Sequence, residues 1–311
     1  MALFNITDEA LKKSATQFKR ELLMLPIIGA EATLQHFTAR PGVGGRQVVG
    51  QIGGGLELGP YDPNRIDTTG ITITPRVLET YLASTIKRFD INEAAGTIYG
   101  ELVAQGKSLE SANLALQVLQ YLSLQLSKKL NMALFAAKRS NTGTTTMELF
   151  NGFDTIAKQE EDAGALTVKP LAAFTNENAV DQLLDFYRSA SPELREQTTK
   201  LYISPDIYDK YTSDFAASFQ AAAYNTSFEK RYLIGSDNKC ELVPLASKAG
   251  SKYIQLSTKS NMLYGYGAGL ADENISIERH HEFLLSYVAA MYFGVQYESI
   301  SPERLHVGLV Q

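Results

Sequence analysis

Hydrophobic residues recur at helical spacing along residues 109–139, the longest helix-patterned segment, which contains neither Gly nor Pro. Its apolar positions are Leu109, Ala112, Leu116, Leu119, Leu122, Leu126, Leu130 and Ala133. The pattern predicts a helix about 46 Å long at 1.5 Å per residue, with Ser108 as its N-cap. Glutamines and lysines interrupt the apolar positions, so part of the helix should face solvent or a partner. A coiled-coil seam is the competing interpretation, but the segment lacks the flanking charge pairs of a coiled coil.

A glycine-rich segment, residues 42–74, precedes this helix and holds more than a third of the 23 glycines. Its β-branched residues lie on both sides of a turn-rich stretch at 59–64, so they predict two strands paired as a hairpin. These residues are Val48, Val49 and Ile52 before the turn, and Ile71 and Ile73 after it. Such a hairpin would project roughly 50 Å.

An isolated two-stranded ribbon is only marginally stable in water, and compact enzymes rarely carry a connection of this length without structure of its own. We therefore predict that the hairpin finds a partner surface on another subunit. The candidate contact residues are Gly53, Gly54, Gly55, Tyr61, Asp62 and Arg65.

Most of the remaining chain alternates between predicted helices and strands. An amphipathic helix at 8–20 lies in a predicted N-terminal arm, a strand covers 78–91, and Asn92 caps a short helix that ends at Gly106. A turn at 151–154 marks a domain boundary, and the acidic run at 160–162 is expected in a solvated loop. Further helices are predicted around 180–187 and from Ser204 onward, and strands at 201–203, 241–245, 253–257, 262–266, 275–278, 283–297 and 304–310.

Composition and motifs exclude several classes of function. The chain has 311 residues, of which 44% are hydrophobic and 20% charged, as in a folded protein. A net charge of -5 argues against a protein that clamps nucleic acid phosphates, and a single cysteine excludes an internal disulfide. No phosphate-binding loop, nucleophile elbow or zinc-ligand spacing occurs. We predict no catalytic, cofactor-binding or metal-binding residues.

The order of segments resembles the major capsid proteins of tailed phages, whose Hong Kong 97-type fold is shared with encapsulins. Residues 72–78 (Thr-Ile-Thr-Pro-Arg-Val-Leu), leading into Phe89-Asp90, resemble the return of the family's hairpin to its peripheral domain. Residues 108–139 resemble the spine helix, 150–156 the small loop after it, and 201–208 a strand–helix step of the axial domain. Residues 261–265 and 293–307 resemble the closing strands.

The resemblance implies an α+β fold with five parts. These are an N-terminal arm (1–40), an extended hairpin (41–76), a peripheral domain with the spine helix 108–139 (77–152), an axial domain (153–282) and closing strands (283–311). It implies a shell protein that forms pentamers and hexamers, encloses double-stranded DNA without sequence-specific binding, and resides in the virion after assembly in the bacterial cytoplasm. The partners would be a scaffolding protein, a portal and possible decoration proteins, with no membrane.

The sequence departs from the resemblance at the hairpin, and two other functions stay open. Some members join neighbouring subunits through a lysine in the hairpin, but here no lysine occurs between Lys19 and Lys87, so we expect no covalent cross-link there. The short N-terminal region leaves no room for a large fused scaffolding domain, so a separate scaffold is expected unless a leader was cut away before Met1. One alternative is an encapsulin-type compartment; the other is a soluble α/β enzyme, because a catalytic site can assemble from scattered residues.

Overall fold

The computed structural model describes residues 31–54, 61, 70–90, 111–218, 231–268, 275–279 and 284–311. The helices are α1 (Glu31–Leu34), α2 (Ser111–Ala136), α3 (Phe153–Asp162), α4 (Ala179–Arg188), α5 (Pro192–Glu196) and α6 (Pro205–Ser218). The strands are β1 (Thr38–Pro41), β2 (Arg46–Gly54), β3 (Ile71–Glu79), β4 (Tyr81–Asp90), β5 (Val168–Leu171), β6 (Thr199–Ile203), β7 (Cys240–Pro244), β8 (Tyr253–Ser257), β9 (Met262–Ala268), β10 (Ile275–Arg279), β11 (Leu284–Tyr297) and β12 (Leu305–Val310). Short 3₁₀ turns occupy Thr146–Glu148, Ala246–Lys248 and Lys259–Asn261.

The strands form two five-stranded sheets and a separate hairpin. In the first sheet, β11 pairs antiparallel with β4 on one side and with β9 and β10 on the other, and β1 runs parallel to β9. The second sheet has the order β5-β12-β8-β6-β7. In the described part of the chain, the hairpin contains β2 and β3 and no third strand. A long strand such as β11 can therefore link elements that are far apart in the sequence.

Two hydrophobic cores hold these elements together. The first packs the C-terminal half of α2 against α3 and both large sheets, around a cluster of aromatic rings. Four of these rings are Phe37, Phe135, Phe153 and Tyr202, with centroids 5.3 to 6.4 Å apart. The second core packs α4 and α6 on the second sheet. Aromatic pairs of this kind stabilise a fold by more than the burial of their area alone. The C-terminal end of α2 is therefore packed in the most aromatic part of the first core.

Most predicted elements are confirmed within one or two residues, but the single strand predicted at 78–91 is wrong. The chain forms two strands, which break at Thr80. There the Thr80 N–H donates to the Gly45 carbonyl (2.7 Å), and the Thr80 hydroxyl contacts the Gly45 N–H at 2.9 Å and the Val43 carbonyl at 3.0 Å. Side-chain hydrogen bonds of this type compete with a regular strand ladder, so Thr80 redirects the chain from the hairpin into β4.

The solvated loop predicted at 160–162 is also wrong. These residues form the last turn of α3, a helix that was not predicted, and the Glu160 carboxylate pairs with Arg76. The loop begins only after this turn. The local sequence around this acidic run does not indicate that Glu160 pairs with a residue 84 positions away.

Several predictions lie outside the described residues and stay predictions. They concern the N-terminal arm at 8–20, the capped helix after Asn92 and the N-cap Ser108. The division into arm, peripheral and axial domains is likewise a prediction.

Candidate assembly surface

The predicted hairpin exists, and its register gives it two different faces. Arg46 pairs with Glu79 at the base, and Gly54 pairs with Ile71 at the last described pair of the ladder. Directly opposed residues share a face, and the face alternates along each strand. Over the described residues, β2 and β3 pair with no third strand, so neither outer edge of the ribbon is covered by a strand.

The inner face of the hairpin base packs against its own subunit. Leu78 is fully buried and Val49 is 9% exposed, and both join a small core with Val43 and Leu263. Arg76 lies on the same face, directly opposite Val49. Burial of two large apolar side chains stabilises this attachment by about 3 to 6 kcal/mol in total.

The outer face of the hairpin presents apolar groups to solvent. Val48 and Val77 oppose each other, and they are 72% and 39% exposed. Tyr61, beyond the described strands, is 94% exposed. Single exposed apolar residues are ordinary, but a cross-strand pair on a ribbon whose described edges pair with no third strand is a surface on which another chain can pack.

Three polar groups hold the hairpin base in place. Arg76 Nη2 lies 2.5 Å from Glu160 Oε1 on α3 and 3.3 Å from Gln296 Oε1 on β11. The Gln296 amide also donates to the Val77 carbonyl at 3.1 Å. A second ion pair, Arg46 to Glu79 at 2.7 Å, is far more exposed, because 78% of the Arg46 side chain faces solvent. Exposed pairs of that kind contribute little to stability.

The structure describes only half of the predicted contact residues. Gly53 and Gly54 form the end of β2, where they pair with Thr72 and Ile71, and Tyr61 is exposed. Gly55, Asp62 and Arg65 lie outside the described residues. Sequence reasoning missed Val77 and Arg76, because alternation along a strand shows which residues share a face but not which face is buried.

A second exposed surface lies on β4 and α2. On β4, Leu82 and Ile86 lie on the same face and are 50% and 65% exposed. On α2, Tyr121, Leu124 and Met132 are also exposed. Between β4 and α2 lies a cavity of about 400 Å³, closed on one side by the loop 139–149. The prediction that part of the long helix is not covered by its own subunit is thereby confirmed.

One pair of side chains imitates a catalytic dyad. Ser189 Oγ lies 3.1 Å from His306 Nε2, but the Ser189 hydroxyl donates to the Phe186 carbonyl at 2.7 Å. The imidazole stacks on the Phe186 ring with centroids 4.5 Å apart, and its burial lowers the pKa of His306 to about 4. A nucleophilic hydroxyl must donate its hydrogen bond to the base that takes its proton, whereas the Ser189 hydroxyl donates to a backbone carbonyl. The arrangement joins β12 to α4.

A buried polar cluster lies at the centre of the first core. The Lys248 ammonium, fully buried, contacts Asp154 Oδ1 at 3.0 Å and Gln255 Oε1 at 2.7 Å. The Asp154 carboxylate also accepts from Ser251 and Gln255. Burial lowers the pKa of Lys248, while Asp154 opposes that shift. Because each charge has its partners, the cluster fixes α3 to the second sheet.

The single cysteine is buried within its own subunit. Cys240 is buried at the start of β7, and burial raises its pKa to about 12, so it is an inert packing residue. Among the residues that the structure describes, no group of His, Cys, Asp and Glu side chains is arranged to hold a metal ion. The same part of the chain contains no helix both long and apolar enough to cross a membrane.

Comparison with known proteins gives matches in structure alone. No family model matches the sequence, and no curated protein matches it. A chain of the satellite phage P4 procapsid, which includes the size determination (Sid) protein, is similar over 92% of this chain and 90% of its own, with 13% identity and a TM-score of 0.54. A chain of Gordonia phage Cozz matches over 93% and 86%, with 11% identity and a TM-score of 0.53. A chain of the capsid of Myoviridae phage XM1 matches over 90% and 92%, with 10% identity and a TM-score of 0.50.

These likenesses extend over nearly the whole chain at identities that sequence comparison does not detect. They confirm the predicted fold class, an α+β fold of the Hong Kong 97 type with an extended hairpin and a long helix. A shared fold alone does not assign a function.

Proposed function

We propose that this chain, which has the Hong Kong 97-type fold, is the major capsid protein of a tailed double-stranded DNA phage. The observation that carries the proposal is the hairpin of β2 and β3. Its inner base packs against its own subunit, its outer face is exposed at Val48 and Val77, and over the described residues it pairs with no third strand. A ribbon of this kind gains stability when another chain covers it. The full-length likeness to chains of a procapsid and a capsid supports the same interpretation.

In the proposed assembly, each subunit offers its hairpin and receives that of a neighbour. Such a contact is heterologous, and it closes into rings when the rotation between subunits divides a full turn. Pentamers and hexamers of an icosahedral shell are rings of this type. The proposed parts are the arm 1–40, the hairpin 41–76, the peripheral domain 77–152, the axial domain 153–282 and the closing strands 283–311.

The proposed partners follow from a shell that encloses DNA. The net charge of -5 suits a protein that surrounds packaged DNA without binding it tightly. A separate scaffolding protein, a portal and possible decoration proteins would complete the particle. The protein would have no enzymatic role, and its location would be the virion, after assembly in the bacterial cytoplasm.

Negative-stain electron microscopy of the purified protein, after expression in bacteria and concentration, tests the proposal. We expect closed shells, or tubes and rings of capsomers where the scaffold is missing. A monomer at every concentration, above all one that turns over a substrate, would refute the proposal and favour the enzyme alternative.

The contents of purified particles separate a phage capsid from an encapsulin-type compartment. Particles from infected cells should contain DNA that resists nuclease until the shell is opened. A single co-purifying cargo protein in place of DNA would favour the compartment.

A further inference from the structure

The hairpin has a weak point one residue pair beyond its attachment. Gly50 opposes Pro75 in the register. A Cβ atom on Gly50 would lie 2.4 Å from the Thr74 carbonyl oxygen, so only glycine permits the close approach of the two strands here. Glycine inside a strand has no side chain to pack against its neighbours, so the ribbon can bend at this pair more easily than elsewhere.

From the base of the hairpin toward its tip, Arg76 is the last residue of β3 before this weak point whose side chain contacts the rest of the subunit. Its side chain is only 11% exposed and reaches both Glu160 on α3 and Gln296 on β11. The Gln296 amide holds the neighbouring Val77 carbonyl at 3.1 Å. Thr74 and Pro75, the next two residues toward the tip of the hairpin, are exposed.

We propose that Arg76, Glu160 and Gln296 form a clamp that sets the direction in which the hairpin leaves the subunit. The clamp is a positioning device, and this inference rests on the proposed function, because the direction matters only if the hairpin meets a neighbour. Because Arg76 contacts two different elements, α3 and β11, these contacts fix the angle between the hairpin and its own subunit. The apolar contact of Leu78 and Val49 fixes only where the base of the hairpin lies. A heterologous ring closes only when each subunit presents its contact at the correct angle.

A direct test measures the direction of the hairpin before assembly. Spin labels at Tyr61→Cys on the hairpin and Asp181→Cys on α4, in a Cys240→Ala background, report one distance distribution by pulsed electron resonance. We expect Arg76→Gln to broaden this distribution at least twofold. Arg46→Gln is the matched control, because it breaks the exposed ion pair at the same base, and it should leave the distribution unchanged.

Arg76→Lys provides a conservative rescue. Both hydrogen bonds of the clamp use the single nitrogen Nη2, and Arg76 Nε has no partner among the described residues. The single ammonium of the substituted lysine can therefore make part of the clamp's contacts. The width of this variant's distance distribution should lie between that of the unaltered protein and that of Arg76→Gln. If Arg76→Gln does not fold, Glu160→Gln tests the same clamp from α3, because it removes the charge and keeps the shape.

Assembly supplies the second measurement. In electron micrographs, the fraction of Arg76→Gln protein in closed, uniform shells should fall at least tenfold, with irregular particles in their place, while Arg46→Gln assembles normally. Unchanged distance distributions and unchanged particles for Arg76→Gln and Glu160→Gln would overturn the clamp. Failure of the unaltered protein to assemble would instead refute the proposed function, and the distance measurement would still decide whether the clamp sets the hairpin's direction.

Discussion

Two histidines, the buried His36 and the half-buried His306, link the stability of the fold to acid pH. His36 accepts a hydrogen bond from the Lys200 ammonium (3.0 Å) and is 8% exposed. Burial, with Lys200 as a further cause, lowers the pKa of His36 to about 4, and burial likewise lowers that of His306 to about 4. Both imidazoles therefore stay neutral in the folded protein at pH values where the same histidines in the unfolded chain begin to take up protons.

The first prediction concerns the pH profile of the free energy of unfolding. The unfolded histidines take up protons below pH 6.5, whereas the folded ones resist down to about pH 4. Stability should therefore be complete above pH 6.5 and fall between pH 6.5 and 4, by on the order of 1 to 3 kcal/mol per histidine. Urea unfolding at a series of pH values measures this slope. In the His36→Gln, His306→Gln double variant the slope should decrease, and an unchanged slope would contradict the assignment.

The second prediction concerns the point where the hairpin meets the first sheet. A Cβ atom on Gly294 would lie 2.1 Å from the Glu79 carbonyl oxygen and 3.1 Å from the Thr80 Cα atom, both backbone atoms. Gly294→Ala should therefore lower the free energy of unfolding by about 1 to 3 kcal/mol. Gly44→Ala is the control, because its nearest neighbour is a Tyr292 side-chain atom 3.8 Å away. Equal thermal midpoints for the two variants would show that the backbone there can shift freely.

At the scale of elements, α2 and the hairpin play opposite roles. The C-terminal half of α2 is part of the first core, so its helical form is required for folding. Among the hairpin residues whose burial is described, only those at its base are buried, so we expect the rest to serve contact with other molecules. Two variants test this division.

The third prediction is that Leu122→Pro in α2 unfolds the subunit. Proline inside a helix removes a hydrogen bond and clashes with the preceding turn, at a cost of about 3 kcal/mol or more. Circular dichroism should show loss of helix and a large drop in thermal midpoint. Leu122→Ala keeps the backbone and should cost less, because Leu122 is only half-buried. A Leu122→Pro variant with normal stability would mean that this part of α2 is dispensable.

The fourth prediction is that deletion of residues 50–67 leaves the subunit folded and blocks its assembly. The anchoring residues Val49, Arg76 and Leu78 stay in place, so the cores are untouched. Circular dichroism should be close to that of the full chain, and electron micrographs should lack shells. Loss of folding would contradict a hairpin whose tip serves only other subunits.

At the scale of the whole molecule, local patterns predicted most elements but not how they meet. The strand predicted at 253–257 coincides with β8, and that at 283–297 is β11 but for its first residue. The break at Thr80 and the pairing of Glu160 with Arg76 depend on contacts between distant segments, which no local periodicity encodes. The exposed pair Val48 and Val77 was missed for the same reason, since the buried face of a strand depends on what packs against it.

Hydrogen–deuterium exchange of the hairpin in free subunits and in assembled particles tests the central claim most directly. We predict fast exchange of the backbone amides of residues 50–54 and 71–74, beyond the anchored base, in the free subunit, and at least tenfold slower exchange in particles. The amides of β8 and β12, inside the second sheet, should be protected equally in both states and serve as the internal reference. Equal exchange of the hairpin in both states would contradict a ribbon that is stabilised by its neighbour.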